Sequence, residues 1–192
     1  MNDFAFYLEI GWAHIISKDA LDHQLFILAL AATYLLGNWK QVLVLVTAFT
    51  VGHSLTLALS VYDIVSLSSK WVEFLIPLTI ILTALFNLLQ KNFSKKSLRF
   101  NYLLALFFGL IHGLGFANTI RFMLAKNESV AWPLFSFNVG LEAGQLLVVG
   151  LILLASYFLV NKAGLPRRAW VWILSLAALI LATIICIERW PI

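Results

Sequence analysis

Six apolar stretches of bilayer-crossing length follow one another near residues 21–37, 40–61, 71–90, 99–120, 132–160 and 169–188. In hydrocarbon every backbone N–H and C=O must be satisfied within the chain, so such segments become helices of roughly 20 residues. The chain is therefore expected to be all-α: a single polytopic membrane bundle over 1–192 with about six transmembrane helices. The first stretch is short and opens behind Asp19 and Asp22, residues suited to a helix N-terminus. The fifth is long and must tilt, kink at its glycines or begin outside the bilayer. Residues 3–17 are apolar but too short to cross, and are expected to form an interfacial or re-entrant helix packed on the bundle.

Composition supports lipid as the solvent. Hydrophobic residues make up 62% of the chain and charged residues 11%, with mean hydropathy +0.95, well outside the range of soluble domains. The net charge of +4 does not point to nucleic acid, because the cations sit in short segments between apolar runs. A single cysteine, Cys186, supplies neither a disulfide framework nor a thiolate cluster. The first residues, Met-Asn-Asp-Phe, lack the basic region of a signal peptide, so insertion is expected to rely on the internal helices.

The basic residues set an expected orientation. Lys91, Lys95, Lys96 and Arg99 fall in one connection, and Lys162, Arg167 and Arg168 in another. Placing both on the cytoplasmic side, with Lys40, puts both termini outside. The outer connections then carry Lys18, Lys70, Arg121 and Lys126, a more scattered set. All the acids (Asp3, Glu9, Asp19, Asp22, Asp63, Glu73, Glu128, Glu142 and Glu188) fall on the outer side or in the outer half. That face would attract cations.

All four histidines lie inside or against apolar stretches: His14 in GWAHI, His23 in LDHQLF, His53 in VGHSLTL and His112 in IHGLGFA. Ionisable groups in hydrocarbon are costly and usually functional. His53 and His112 each precede the outer end of their helix by eight residues, and Glu142 follows the start of its helix by ten. At 1.5 Å per residue all three lie about 12–15 Å below the outer surface. His23 and His14 are also on the outer side. Imidazoles with carboxylates and no thiolate form a donor set suited to nickel, cobalt or zinc.

Each cluster also has a plainer reading. Asp22 could simply favour the N-terminal dipole of its helix and His23 could be an interfacial side chain, or Asp22 could orient a neighbouring imidazole. His53 shares a polar stripe with Thr47, Thr50 and Ser54, which in a structural role would be interhelical hydrogen bonding. Around His112 the glycines 109, 113 and 115 permit close helix approach, as they would in any bundle. Asn118 reads as a hydrogen-bonding group near the helix end. Asn138, Glu142 and Gln145 recur at i, i+4 and i+7 and share one helix face. A carboxylate ten residues into a crossing needs a cation, a metal, an imidazolium or a proton. The common depth favours a metal site built of His14, Asp22, His23, His53, His112 and Glu142, supported by Asn138 and Gln145.

Taken in order, GWAHI, ALDHQLF, VTAFTVGHSLTLALS, FGLIHGLGFA and FNVGLEAGQ resemble the HupE/UreJ family of small bacterial membrane proteins, over residues 11 to about 149. The resemblance implies a bacterial inner membrane protein that handles nickel or cobalt, generally as a permease. The family's leading histidine matches His14 and its Asp-His pair matches Asp22-His23, while His53, His112 and Glu142 fall on later motifs. Here the seven residues IISKDAL separate His14 from Asp22, longer than the usual permease spacing.

Two functions follow from such a site. In a permease, an outer acidic face gathers a divalent cation, and histidines with carboxylates strip its water and pass it inward. In an intramembrane zinc-dependent hydrolase or transferase, three histidines hold Zn²⁺ and leave one position for water. Glu142 or Asp22 would then be the general base, Ser54 or Asn138 would polarise a lipid or peptide substrate, and the site would open to the outer leaflet. A proton relay or sensor without metal is a third option. The partners expected are the lipid bilayer and the metal ion, with a homo-oligomer left open.

Overall fold

A computed structural model describes residues 3–90, 95–123 and 130–191, with side chains described for 4–90, 101–116, 119–120 and 130–191. Asp3, Lys91, Lys95, Lys96, Arg99, Asn118, Arg121, Lys126 and Glu128 lie outside the described side chains. Seven α-helices follow in order: α1 (Asp3–Ile16), α2 (Leu21–Ala31), α3 (Trp39–Val61), α4 (Ser69–Leu89), α5 (Lys95–Met123), α6 (Ala131–Ser156) and α7 (Arg167–Glu188). No strand occurs among the described residues. Among the described residues four helical stretches are long and apolar enough to cross a membrane: Leu36–Val61, Ser69–Leu89, Ala131–Lys162 and Arg167–Glu188.

The surface is apolar as well as the core, unlike that of a water-soluble protein. Val44, Val51, Leu103, Phe107, Ile180 and Ile187 are each more than half exposed, while Thr33, Asn87, Asn101, Gln145, His53 and His112 are buried. Lipid, as apolar as leucine, makes the first group cheap, and of the second Asn87, Asn101 and Gln145 find hydrogen-bond partners inside the bundle.

Glycines set which helices pair. A Cβ on Gly11 would lie 2.0 Å from the Phe137 carbonyl oxygen, and one on Gly140 2.0 Å from that of Leu8, with Gly144 against Ile15. The contacts advance together along both chains, so α1 and α6 run parallel and in backbone contact. The same logic joins α3 and α5: Gly52 meets Leu106 and Leu110, Gly109 meets Phe49, and Gly113 meets His53. These are small-residue seams that let backbones close to a distance larger side chains forbid. A third pair, α4 with α7, completes the bundle.

The N-terminal region differs from the expectation. Residues 21–37 do not form one helix, and α1, which covers most of residues 3–17, packs against α6. Helix α2 has 11 residues, about 16 Å and half of a crossing. Helix α1 has 14 residues and lies lengthwise along the first half of α6, with Phe4 against Trp132. Phe26, Ile27 and Leu30 of α2 continue along the second half, beside Gln145 and Val149. On this packing α1 and α2 follow one another along α6, interrupted at Ser17–Ala20. Gln24 spans the interruption, its side-chain amide donating to the carbonyls of Ile15 and Ser17 at 3.0 Å each. Those are end-of-helix acceptors that hydrocarbon could not satisfy.

The extra length of the fifth apolar stretch is taken up by a π-helical turn, Tyr157–Lys162, after α6. The turn closes at Gly164, whose φ of +76° suits only glycine well, and Pro166 precedes α7.

Candidate metal site

The interruption between α1 and α2 places two imidazoles beside each other. His14, one turn beyond Gly11, ends α1, and His23 starts α2; their ring centroids lie 4.5 Å apart. The α3/α5 seam brings the other two. Gly52 lets α3 lie on α5 beside His53, and Gly109 and Gly113 do the same on either side of His112. His14, His23 and His53 each offer one ligand atom, all within 4.8 Å of one another. The His112 ring stands 5.0 Å from that of His23. A divalent ion with bonds of about 2.0–2.1 Å joins donors up to about 4.2 Å apart, so small inward shifts suffice to bring the three onto one ion.

The ring nitrogens are poised but not engaged. Nε2 of His14 and His23, and both ring nitrogens of His53 and His112, are buried without a hydrogen-bond partner. An unpaired buried donor or acceptor is costly, and several together around a common point mark a place built for a ligand. Phenylalanines wall the group. Phe116 stacks 4.2 Å from His14, Phe26 and Phe49 each lie 5.1 Å from His112, and Phe137 faces His53 at 6.1 Å. These rings form an apolar wall beside the imidazoles, while the cavity side of the group is open.

The access side is polar. A cavity of about 390 Å³ is lined by His14, His23 and His112 together with Asp19, Asp22, Glu73 and Arg189. Asp22 does not stand free in it. Its Oδ1 accepts from the His23 Nδ1 at 2.9 Å and from the His23 backbone N–H at 2.8 Å, while Oδ2 accepts from Arg189 at 2.9 Å. This is the orienting carboxylate that metal-binding imidazoles commonly use. Asn138 stands close to His53, and its Nδ2 donates to the Leu134 carbonyl at 2.7 Å. Its Oδ1 is buried and unpaired, and no well-formed hydrogen bond joins it to His53.

The remaining residues singled out in the sequence lie along a polar seam between α3 and α6. Thr50 donates to Gln145 at 2.9 Å, and Thr47 donates to Glu142 at 2.7 Å. Ser54 turns back onto the Thr50 carbonyl at 2.6 Å. Glu142 and Ser54 do not line the cavity that holds the histidines. Sequence reasoning missed Arg189, Glu73's place on the cavity wall and the phenylalanine shell. An aromatic in an apolar run carries no signal, and Arg189 looks like an ordinary helix-end cation.

The fold and this cluster define a class: a helical bundle with helices apolar and long enough to cross a membrane and an imidazole-lined cavity inside it. The family model described as HupE / UreJ protein matches residues 1–189. The chain belongs to the HupE/UreJ family. No curated protein and no solved structure matches it.

Proposed function

We propose that this protein is a divalent metal permease of the nickel/cobalt type, with a single central site formed by His14, His23, His53 and His112. The observation that carries the reading is the convergence of three imidazoles within 4.8 Å, with the fourth adjacent. Asp19 and Glu73 on the cavity wall draw a cation in. Neutral imidazoles then replace its water one ligand at a time, and the phenylalanines form the apolar wall behind them. Uncharged nitrogen donors bind borderline metals without the deep trap that thiolates would set. That suits a cargo that must leave.

The donors come from different packing units: His14 from the α1/α6 pair, His53 and His112 from the α3/α5 pair, and His23 from α2, which packs against α4, α6 and α7. A small displacement of one unit against another would separate them and release the ion, as in transporters whose site lies at a broken helix. Deeper in the bundle the buried groups are uncharged: Thr50 with Gln145, and Asn101 with Tyr34. They could pass a partly hydrated ion without holding it. The bacterial inner membrane, with both termini outside, is the location this reading requires.

An intramembrane zinc hydrolase or transferase is the second reading. What favours it is the cavity, larger than a single bare ion needs, with Glu73 on its wall beside the imidazoles. Asp22 has both oxygens engaged, so Glu73 or Asp19, both on the cavity wall, would be the carboxylate that activates a metal-bound water.

Metal analysis of protein purified without chelator or nickel resin separates the two. A permease retains little metal yet binds nickel or cobalt saturably, and cells making it accumulate that metal. Near-stoichiometric zinc that survives dialysis supports the enzyme instead.

A further inference from the structure

Arg189 lines the cation cavity, where its positive charge opposes the ligand. Its presence calls for another explanation, and its contact supplies one. We infer that Arg189 is a positioning residue of the imidazole site, acting through Asp22 on His23; the inference rests on the metal-binding reading above. A carboxylate can only accept, so the 2.9 Å contact from His23 puts the proton on Nδ1. The Nε2 lone pair, buried and unpartnered, is thereby directed to the cluster.

Neighbouring residues on a helix point about 100° apart, so the Asp22–His23 contact exists only while the carboxylate is held back toward its neighbour. The guanidinium holds it, taking Oδ2 at 2.9 Å. Left alone, this oxygen would face the cavity and could swing onto an incoming cation. Arg189 comes from the far end of the chain, just past α7, and the next residue, Trp190, packs edge-on against Phe74 at 5.0 Å. Its side chain is 33% exposed against 9% for Asp22, so the pair straddles the cavity wall.

The two effects of Arg189 have opposite signs. Removing its charge alone would tighten cation binding, and removing its grip on Asp22 would loosen it. Loss of such an outer support costs about 10–100-fold in metal affinity, more than one partly exposed charge contributes in a water-filled cavity. The test is Co²⁺ titration of the full chain in detergent, read by visible absorption, with thermal unfolding as a check on folding. We expect R189Q to bind about tenfold more weakly and R189K, which keeps one donor to Oδ2, to stay close to the native chain. In the double variant D22N/R189Q the second change should add nothing to D22N, because its effect passes through Asp22. The inference is overturned if R189Q binds as tightly as the native chain or tighter, or if the losses from D22N and R189Q multiply. A native chain that binds no Co²⁺ overturns the metal reading itself, and this inference with it.

Discussion

The hydroxyl of Thr47 donates to the carboxylate of Glu142 at 2.7 Å, joining α3 to α6 outside the cavity that holds the histidines. A carboxylate partway along a membrane helix thus has a polar partner that is not a cation. Counting residues from the helix start puts Glu142 at the depth of His53 and His112, but depth is one coordinate of two. The direction around the helix turns it toward Thr47.

This placement predicts that Glu142 supports packing and is not needed for metal binding at the imidazoles. In Glu142→Gln the amide oxygen can still accept from Thr47. Interhelical hydrogen bonds in membranes contribute about 0.6 kcal/mol on average, so the unfolding midpoint should move little. Cobalt affinity measured on the same protein should stay within about twofold of native, under 0.5 kcal/mol. A loss of tenfold or more would return Glu142 to the ligand set.

The histidines should behave differently. His53→Ala or His14→Ala removes a donor from the converging trio, and a cation binding titration should show at least a tenfold loss, about 1.4 kcal/mol. The Nε2 atoms of both residues are buried without a hydrogen-bond partner, so their loss breaks no bond made there. Folding, followed by circular dichroism, should persist.

The glycine seams give a prediction with its own control. A methyl on Gly140 would meet the Leu8 backbone at 2.0 Å, where no side chain can rotate away. Gly140→Ala should therefore cost at the upper end of overpacking, about 3 kcal/mol, and displace α1 with His14. Gly150→Ala on the same helix meets nothing within 4 Å and should be neutral or stabilising by about 0.5–1 kcal/mol. Thermal unfolding in detergent, paired with cobalt binding, reads both effects. Equal behaviour of the two variants would refute the backbone contact.

Where α2 ends, its backbone depends on the other helices. Arg167 donates to the Thr33 carbonyl at 2.6 Å, and Asn87 donates to that of Ala29 at 2.7 Å. Arg167→Ala leaves a buried end-of-helix acceptor without its charged donor, a loss of about 1.5–3 kcal/mol. Hydrogen exchange should rise in residues 29–34 more than in α3. Uniform exchange across both helices would argue against this anchoring.

Much of this arrangement was legible in the sequence because it follows from polarity along single helices. The stripe of Thr47, Thr50, His53 and Ser54 and the face of Asn138, Glu142 and Gln145 could each be read from helical spacing. That these two faces meet could not, since pairing depends on which helices the glycines bring together. The interruption at Ser17–Ala20 was hidden because the residues on both sides are apolar, so hydropathy reads one span and a short neighbour. Arg189 was invisible for a different reason. Its partner Asp22 is 167 positions away, and no local pattern reports a contact that only the assembled bundle makes.

The central claim is that the four imidazoles bind one divalent ion. X-ray absorption on the cobalt- or nickel-loaded chain tests it most directly, with the metal-to-protein ratio measured on the same sample. The account predicts one ion per chain, surrounded by imidazole nitrogens, with that scattering diminished in His53→Ala and His112→Ala. An ion coordinated by oxygen alone, or unchanged scattering in both histidine variants, would contradict it.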